Sequence, residues 1–331
     1  MSTGPIDAGA RFTVVIVNYN GGAMLLDCVQ SAVAEHVPAS QIVVVDNGST
    51  DHSIDSLAAA FPSINIILNS CNEGFARAVN RGLRIATGEF ALLLNNDARL
   101  EPGALQAFAD GFGRFPKLAI AGWQLRYPDG RLQSAFAPLP SLAEELLPRP
   151  ILKLLWPRRF QRKALVESPR AVACVLGACL CVRTAILPRL GLLDEDYFFF
   201  FEEMEWCQRA GSMGAEVYYL PGARAVHGHG QTANRFRGHA RVEYQRSKLT
   251  FFLKTRLPGE YRMVSAVLVI RTALNALLGS LASLATLFLS KPVRSRMATN
   301  WYLLFWHVWG RPASWGLPGK CPRQGKFQGE S

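Results

Sequence analysis

The chain has 331 residues, 49% of them hydrophobic, and carries 36 Lys and Arg against 25 Asp and Glu, a formal net charge of +11. That apolar content excludes a disordered protein and is enough for a full α/β core plus an appendage. The excess charge clusters from Arg149 to Lys163 and after Arg235, where it suits anionic lipid head groups or solubility, and no nucleic-acid-binding motif accompanies it.

Met1 to Ala10 has neither a basic stretch nor an apolar core, so it does not read as a secretory signal, and the catalytic part is expected to stay in the cytoplasm. From Phe12, β-rich runs alternate with helix-length segments: Phe12 to Asn18, Met24 to Ala34, Ile42 to Asp46, Ile64 to Leu68, Phe75 to Ala86, Phe90 to Leu94 and Pro102 to Phe112. This spacing predicts βαβ units in a doubly wound, mostly parallel sheet, and runs without alternation fit strands covered on both faces. After Gly122 the pattern loosens: Tyr127 to Gly130 reads as a turn, and Pro138 to Pro169 as an irregular, basic, mobile loop bordering the site. Order returns with a strand from Val172 to Val182, a turn at Gly191 to Glu195, the aromatic run Tyr197 to Phe201, a helix from Glu202 towards Ala210, and a last short strand from Val217 to Leu220.

The segment Met263 to Leu289 is overwhelmingly apolar, and Thr272 to Ser290 is free of charge, enough for a marginal membrane span. Positive charge flanks it on both sides, which favours a helix lying in or re-entering the cytoplasmic leaflet over a single span, with a buried helical hairpin as the bland alternative. The seven cysteines include Cys28, Cys174, Cys179, Cys181 and Cys207 in apolar segments and form no C-x-x-C pair, so buried reduced thiols are expected rather than disulfides or a zinc site.

Chemistry concentrates at the predicted strand ends, where an open α/β sheet binds its ligand. Asn18-Tyr19-Asn20 follows the first strand and Asp46 to Asp51 the second; amides and carboxylates there suit a base edge and a ribose hydroxyl, with Tyr19 stacking on the base, although Asp46 and Ser49 would equally cap a helix. In Asn69 to Asn80, Asn72 and Gly74 precede a helix whose free N–H groups suit anionic oxygen, or simply join a strand to a helix. Asn95-Asn96-Asp97 puts two amides and one carboxylate on the lip of the fourth strand, near a metal-bound diphosphate.

Taken in order, Asn18 to Asn20, Val45 to Asp51, Asn72 to Phe75, Leu94 to Asp97, Gly177-Ala178, Phe200 to Glu205, and His227 with Gly230 and Thr232 resemble family 2 glycosyltransferases, rhamnosyltransferase-like branch, over about Phe12 to Phe252. The resemblance implies a GT-A fold, a nucleotide-sugar donor (a dTDP- or UDP-sugar, dTDP-rhamnose among them), divalent Mg²⁺ or Mn²⁺, and inversion at the anomeric carbon. It implies donor binding by Asn18, Tyr19, Asp46, Asn72, Gly74, Asn95, Asn96, Gly177 and Ala178, metal binding by Asp97 and His227, and Glu203 as general base. Asn95 replaces the first acid of the family's D-x-D motif, and Glu-Glu replaces its Glu-Asp, leaving Glu202 and Glu205 as competitors of Glu203. The expected division is a catalytic domain over 1–255 and a helical, membrane-associated segment over 256–331, at the cytoplasmic membrane face, acting on a glycan or lipid-linked acceptor of the cell envelope. Two other readings stand beside it. A sugar nucleotidyltransferase would want a cationic, glycine-rich loop after strand one, and Asn18 to Gly22 has no cation; a non-catalytic carbohydrate-binding or membrane scaffold would explain Asn95 and the Glu-Glu pair.

Overall fold

The computed structural model describes residues 8–157, 166–176, 179–228 and 237–321. Strands β1 (Phe12–Asn18), β2 (Ile42–Asp46), β3 (Asn65–Leu68) and β4 (Phe90–Asn95) lie parallel in the order β3-β2-β1-β4. Helices α1 (Ala23–Ala34), α2 (Ser53–Ala60) and α3 (Phe75–Leu83) cross between them. The strands lack alternation because both faces are covered: Val14 and Ile16 pack with Leu25, Cys28 and Val29 of α1, while Val15 packs with Ala76, Val79 and Leu83 of α3.

The second half is built from β5 (Ala98–Leu100), α4 (Ala104–Arg114), β6 (Leu118–Arg126), β7 (Phe136–Ala137), α5 (Leu142–Leu146), α6 (Arg149–Leu155), β8 (Arg170–Ala171), β9 (Cys174–Val175), β10 (Cys179–Arg183), α7 (Leu187–Leu190), α8 (Glu202–Ser212) and β11 (Glu216–His227). The sheet continues β4-β10-β6-β11-β5, with β8 on β11. β10 runs antiparallel to both its neighbours, so the parallel winding stops at β4.

Four expectations need correction here. The expected loosening after Gly122 does not occur, because β6 runs on to Arg126, buried along almost its whole length. The predicted strand Val172 to Val182 breaks into β9 and β10, and the short last strand is part of a 12-residue strand with register shifts at Glu216/Val217 and Leu220/Arg224. The segment read as an irregular loop from Pro138 holds α5 and α6, the latter opened by a proline in its first turn; residues 158–165 lie outside the described residues.

After β11 come α9 (Arg237–Thr255), α10 (Pro258–Ala285) and α11 (Lys291–Val308). α10 is long and apolar enough to cross a membrane by length and composition. It folds back on α11 as an antiparallel hairpin whose apex leaves Leu287 74% and Leu289 81% exposed. The other end of the hairpin is not separate from the sheet domain: Leu268, Leu303 and Trp306 share a buried cluster with Tyr197 and Phe201 ahead of α8.

Beyond α11 the chain returns to the strand lip, where Cys321 forms a disulfide with Cys71 across a sequence separation of 250. This corrects the expectation that the cysteines are reduced; Cys28, Cys174, Cys181 and Cys207 are buried thiols, but Cys71 lies just after β3, where the returning tail meets it.

Candidate active site

β1 and β2 end in register, with Asn18 opposite Asp46. The Asn18 amide nitrogen reaches Asp46 Oδ1 at 2.8 Å and the hydroxyls of Ser49 and Ser53 at 3.0 Å, while its oxygen accepts a 2.9 Å bond from Asn96 Nδ2. One fully buried amide thus joins the ends of β1, β2 and β4. Asp46 also accepts bonds from the Ser49 N–H at 2.9 Å and the Ser49 hydroxyl at 2.5 Å. Of about four acceptor positions on a carboxylate, roughly one remains, on Oδ2; the helix-cap reading of Asp46 and Ser49 is corrected, because α2 begins only at Ser53 with His52 before it and no side-chain cap, and Asp46 instead binds Ser49 within its own loop.

Asn72 organises its own loop, its side-chain oxygen accepting the Gly74 N–H at 3.0 Å and its carbonyl the Cys321 N–H at 3.0 Å. Gly74 has φ of +92°, and a Cβ there would lie 2.7 Å from the Phe198 carbonyl, so this junction requires glycine. The same carbonyl accepts the Phe75 N–H at 2.7 Å, tying the start of α3 to the aromatic run before α8. Gly319 passes beside the Tyr19 hydroxyl, with which any Cβ would collide, and Lys320 pairs with Glu243 and lies 4.2 Å from the Phe198 ring centroid. The tail therefore covers the aromatic ring expected to stack on a base.

At the β4 end, Asn95, Asn96 and Asp97 are all half-buried. β5 pairs with the end of β11, setting His227 opposite Ala98, and the Gly228 N–H donates to the Asp97 carbonyl at 2.9 Å. His227 Nε2 and Asp97 Oδ1 are 3.3 Å apart. On its other side the ring meets Gln133 Oε1 at 3.0 Å, and Gln133 Nε2 donates to the His227 carbonyl at 2.8 Å. That second bond orients the amide, so Oε1 receives the proton of Nδ1, and Nε2 is directed at the Asp97 carboxylate. A divalent ion fits: adjacent ligands of an octahedral ion are about 3 Å apart, and a metal-binding histidine donates its other N–H in this way. Among the described residues no group of three His, Cys, Asp or Glu side chains is placed to hold a metal ion, so any further ligands would come from a bound phosphate or water.

Phe200 and Phe201 both have φ of +72°, a strained backbone for bulky residues at the entry to α8. Packing holds them there, since Tyr244 meets both rings, at centroid distances of 5.6 and 5.1 Å. The first turn of α8 separates the three candidate bases. Glu205 is bound by Arg209 at 2.6 Å, and that guanidinium also donates to the carbonyls of Leu190 and Leu192, which occupies it structurally. Glu202 is 4% exposed, and burial, reinforced by the charge of Glu203, pushes its carboxyl well above the usual carboxylate range. Glu203, 8% exposed, is the remaining acid of the turn. Buried Asn80 fixes the preceding loop through the Leu193 carbonyl at 2.8 Å and N–H at 3.0 Å.

The structure thus joins Asn18, Asp46 and Asn96 directly, pairs Asp97 with His227, and links Gly74 to the approach to Glu203. Gly177, Ala178, Gly230 and Thr232 lie outside the described residues. Gln133, Ser53 and Arg209 carry structural weight here without any motif to mark them.

The model of glycosyl transferase family 2 matches residues 13–190. An N-acetylglucosaminyl-diphospho-decaprenol L-rhamnosyltransferase of Mycobacterium tuberculosis (strain ATCC 25618 / H37Rv) is 28% identical over 267 residues, covering 75% of this chain and 86% of that protein. Among solved structures, the mannosyltransferase PcManGT from Pyrobaculum calidifontis in complex with GDP-Man and Mn²⁺ aligns with a TM-score of 0.48 and 18% identity over 91% of this chain and 88% of that one. GalNAc-T7 with UDP, GalNAc and Mn²⁺ aligns with a TM-score of 0.49 and 17% identity over 65% of this chain, which spans 43% of that one.

Proposed function

Because the chain belongs to glycosyl transferase family 2, we propose that its strand lip holds a sugar nucleotide beside Asp97 and His227 while Glu203 activates an acceptor hydroxyl. The protein is a glycosyltransferase of GT-A type that uses a nucleotide-sugar donor. The finer reading is an inverting transfer, from dTDP-rhamnose or a related dTDP- or UDP-sugar, to a lipid-linked glycan of the cell envelope. The 28% identical relative, whose name specifies L-rhamnose and a diphospho-decaprenol acceptor, supports that choice.

The single observation that carries the catalytic reading is the facing pair of Asp97 Oδ1 and His227 Nε2, 3.3 Å apart at a strand lip. Mg²⁺ or Mn²⁺ held there would neutralise charge on a departing diphosphate. The chain's own residues do the rest. Asn18 and Asn96 hold the β1 and β4 ends together, and Asp46 offers a remaining lone pair to a ribose or base edge. Glu203 takes the proton of the acceptor hydroxyl; its oxygen attacks the anomeric carbon as the carbon–oxygen bond to the diphosphate breaks, and the nucleoside diphosphate leaves with the electron pair. Burial and the neighbouring Glu203 raise the Glu202 carboxyl above its usual range, which makes it the poorer proton acceptor of the two. One displacement inverts the anomeric centre and needs no protein nucleophile. Residues 1–255 form the catalytic part in this reading, and 256–331 the part that meets the cytoplasmic face of the membrane, a role that the length and exposure of α10 support.

Purified full-length protein is incubated with dTDP-rhamnose, UDP-sugars, Mn²⁺ or Mg²⁺ and an N-acetylglucosaminyl-diphospho-polyprenol acceptor. Asp97→Ala should abolish nucleotide release and Glu203→Gln should lower kcat by about 10²–10⁴. Full activity of Asp97→Ala sinks the metal assignment, and a product with retained anomeric configuration sinks the single displacement.

A further inference from the structure

Between α9, α10 and α11 lies a cavity of about 740 Å³. Five cations line it (Arg237, Arg241, Lys248, Arg271 and Arg296), and among the described residues no Asp or Glu stands in its walls. Lys248 and Arg271 are fixed from behind by Glu145, at 2.5 and 2.7 Å. Although burial would raise the Glu145 carboxyl, these two cations outweigh it and hold the carboxyl below its usual range. Arg237, Arg241 and Arg296 are exposed and have no acidic partner among the described residues. A solvated basic face explains scattered arginines on one helix, but not five cations converging on a concavity from three helices with one acid behind them. A cleft lined by a single sign of charge concentrates its field on whatever anion enters, and guanidinium groups match phosphate oxygens in geometry as well as charge.

Two further observations choose among anions. Beyond the cavity the α10–α11 hairpin ends in an apolar apex, where Leu281, Leu284, Leu287 and Leu289 are each at least 60% exposed. Arg296 lies five residues into α11, roughly 8 Å along the helix from its start at Lys291, and interfacial helices bury their apolar side about 5–10 Å into the bilayer. An apex seated in the acyl layer therefore sets the cavity at the level of lipid phosphates. The cavity also has a wall in common with the approach to α8: Phe200 and Tyr244 line it, and Tyr244 packs on Phe201, next to Glu202 and Glu203.

We propose that this cavity binds the diphosphate of a lipid-linked acceptor, presented from the membrane in which the hairpin apex is seated, with the attached sugar extending past Phe200 towards Glu203. The role of that lipid as acceptor rests on the transferase reading above; the binding site itself does not.

The test uses the full chain in detergent and its partition onto phosphatidylcholine vesicles that are plain, contain a few mole per cent undecaprenyl diphosphate, or contain the same charge as phosphatidylglycerol. The double variant Arg241→Ala/Arg296→Ala removes two side chains that make no ion pair among the described residues, and its thermal midpoint reports folding. Wild type should bind diphosphate vesicles at least tenfold more tightly than plain or phosphatidylglycerol vesicles, and the variant should lose that tenfold. In the transfer assay the variant should raise the acceptor KM with little change in the donor KM. Sodium pyrophosphate should displace the wild type from diphosphate vesicles. Equal binding of variant and wild type overturns the proposal, as does equal binding to phosphatidylglycerol, which would make the patch a general anionic-surface contact. Pyrophosphate binding without any gain from the diphosphate lipid overturns the lipid assignment. Glu203→Gln tests the transferase reading by turnover and does not enter the vesicle measurement, so the two readings fail separately.

Discussion

The ring of His227 takes its orientation from Gln133, a buried amide that no motif marks. Removing such an outer partner of a metal-binding histidine costs about 10–100-fold in metal affinity. Gln133→Leu should therefore weaken Mn²⁺ activation by that factor in a metal titration while leaving the nucleotide dependence at saturating metal nearly intact. Glu202 makes a pH-dependent prediction. Its carboxyl is raised in the folded protein by burial and by Glu203, so its contribution favours folding below the unfolded carboxylate range and is lost as pH rises through the folded value. Glu202→Gln should match wild type in thermal midpoint near pH 4 and exceed it at pH 8; a difference that does not grow with pH contradicts this. Asp97, Asp46 and Asn18 are legible in the sequence because each ends a continuous apolar strand. Gln133 is not, because its link to His227 spans 94 residues and exists only once β11 lies along β6.

At the scale of elements, the parallel half is legible from apolar runs of strand length, and β1 and β2 match their expected bounds. β6 escapes because Gly122 and Gln124 interrupt its apolar run. Gly122 is no turn signal here, since a Cβ there would lie 2.5 Å from Val175, and the glycine lets β9 pack over the strand. Gln124 is buried with its oxygen satisfied by the Tyr219 hydroxyl. The short helix α5 is a comparable surprise, and its Glu145 joins α9 and α10 through Lys248 and Arg271. Breaking a buried pair leaves its partners uncompensated, at a cost of about 3–5 kcal/mol; with Arg271 half exposed, Glu145→Gln should fall near the lower bound in denaturant unfolding. The hairpin apex makes a separate prediction. Leu287→Asp/Leu289→Asp should leave the unfolding midpoint almost unchanged, since both side chains are exposed, and lower partition onto phosphatidylcholine vesicles by tenfold or more.

Over the whole molecule, the disulfide between Cys71 and Cys321 closes a loop with a sequence separation of 250. A loop that long restricts the unfolded chain by about 5 kcal/mol in the chain-entropy model. Cys321→Ser should lower the thermal midpoint in oxidising buffer and have no effect in excess dithiothreitol; equal midpoints in both buffers would mean that the pair is not formed. The pairing shapes how the C-terminal helices are mounted. α9, α10 and α11 all lie inside the covalent ring, attached to the sheet at one end through the backbone after β11 and at the other through Cys71, beside the strand lip. A hairpin mounted at two points cannot hang from the enzyme as a float on a line. Any load on its apex is divided between the two covalent mounts, and one of them is the loop that carries Asn72. Reduction takes away the second covalent mount, leaving the same helices tied to the sheet by the backbone after β11 and by the packing of Leu268, Leu303 and Trp306 on Tyr197 and Phe201.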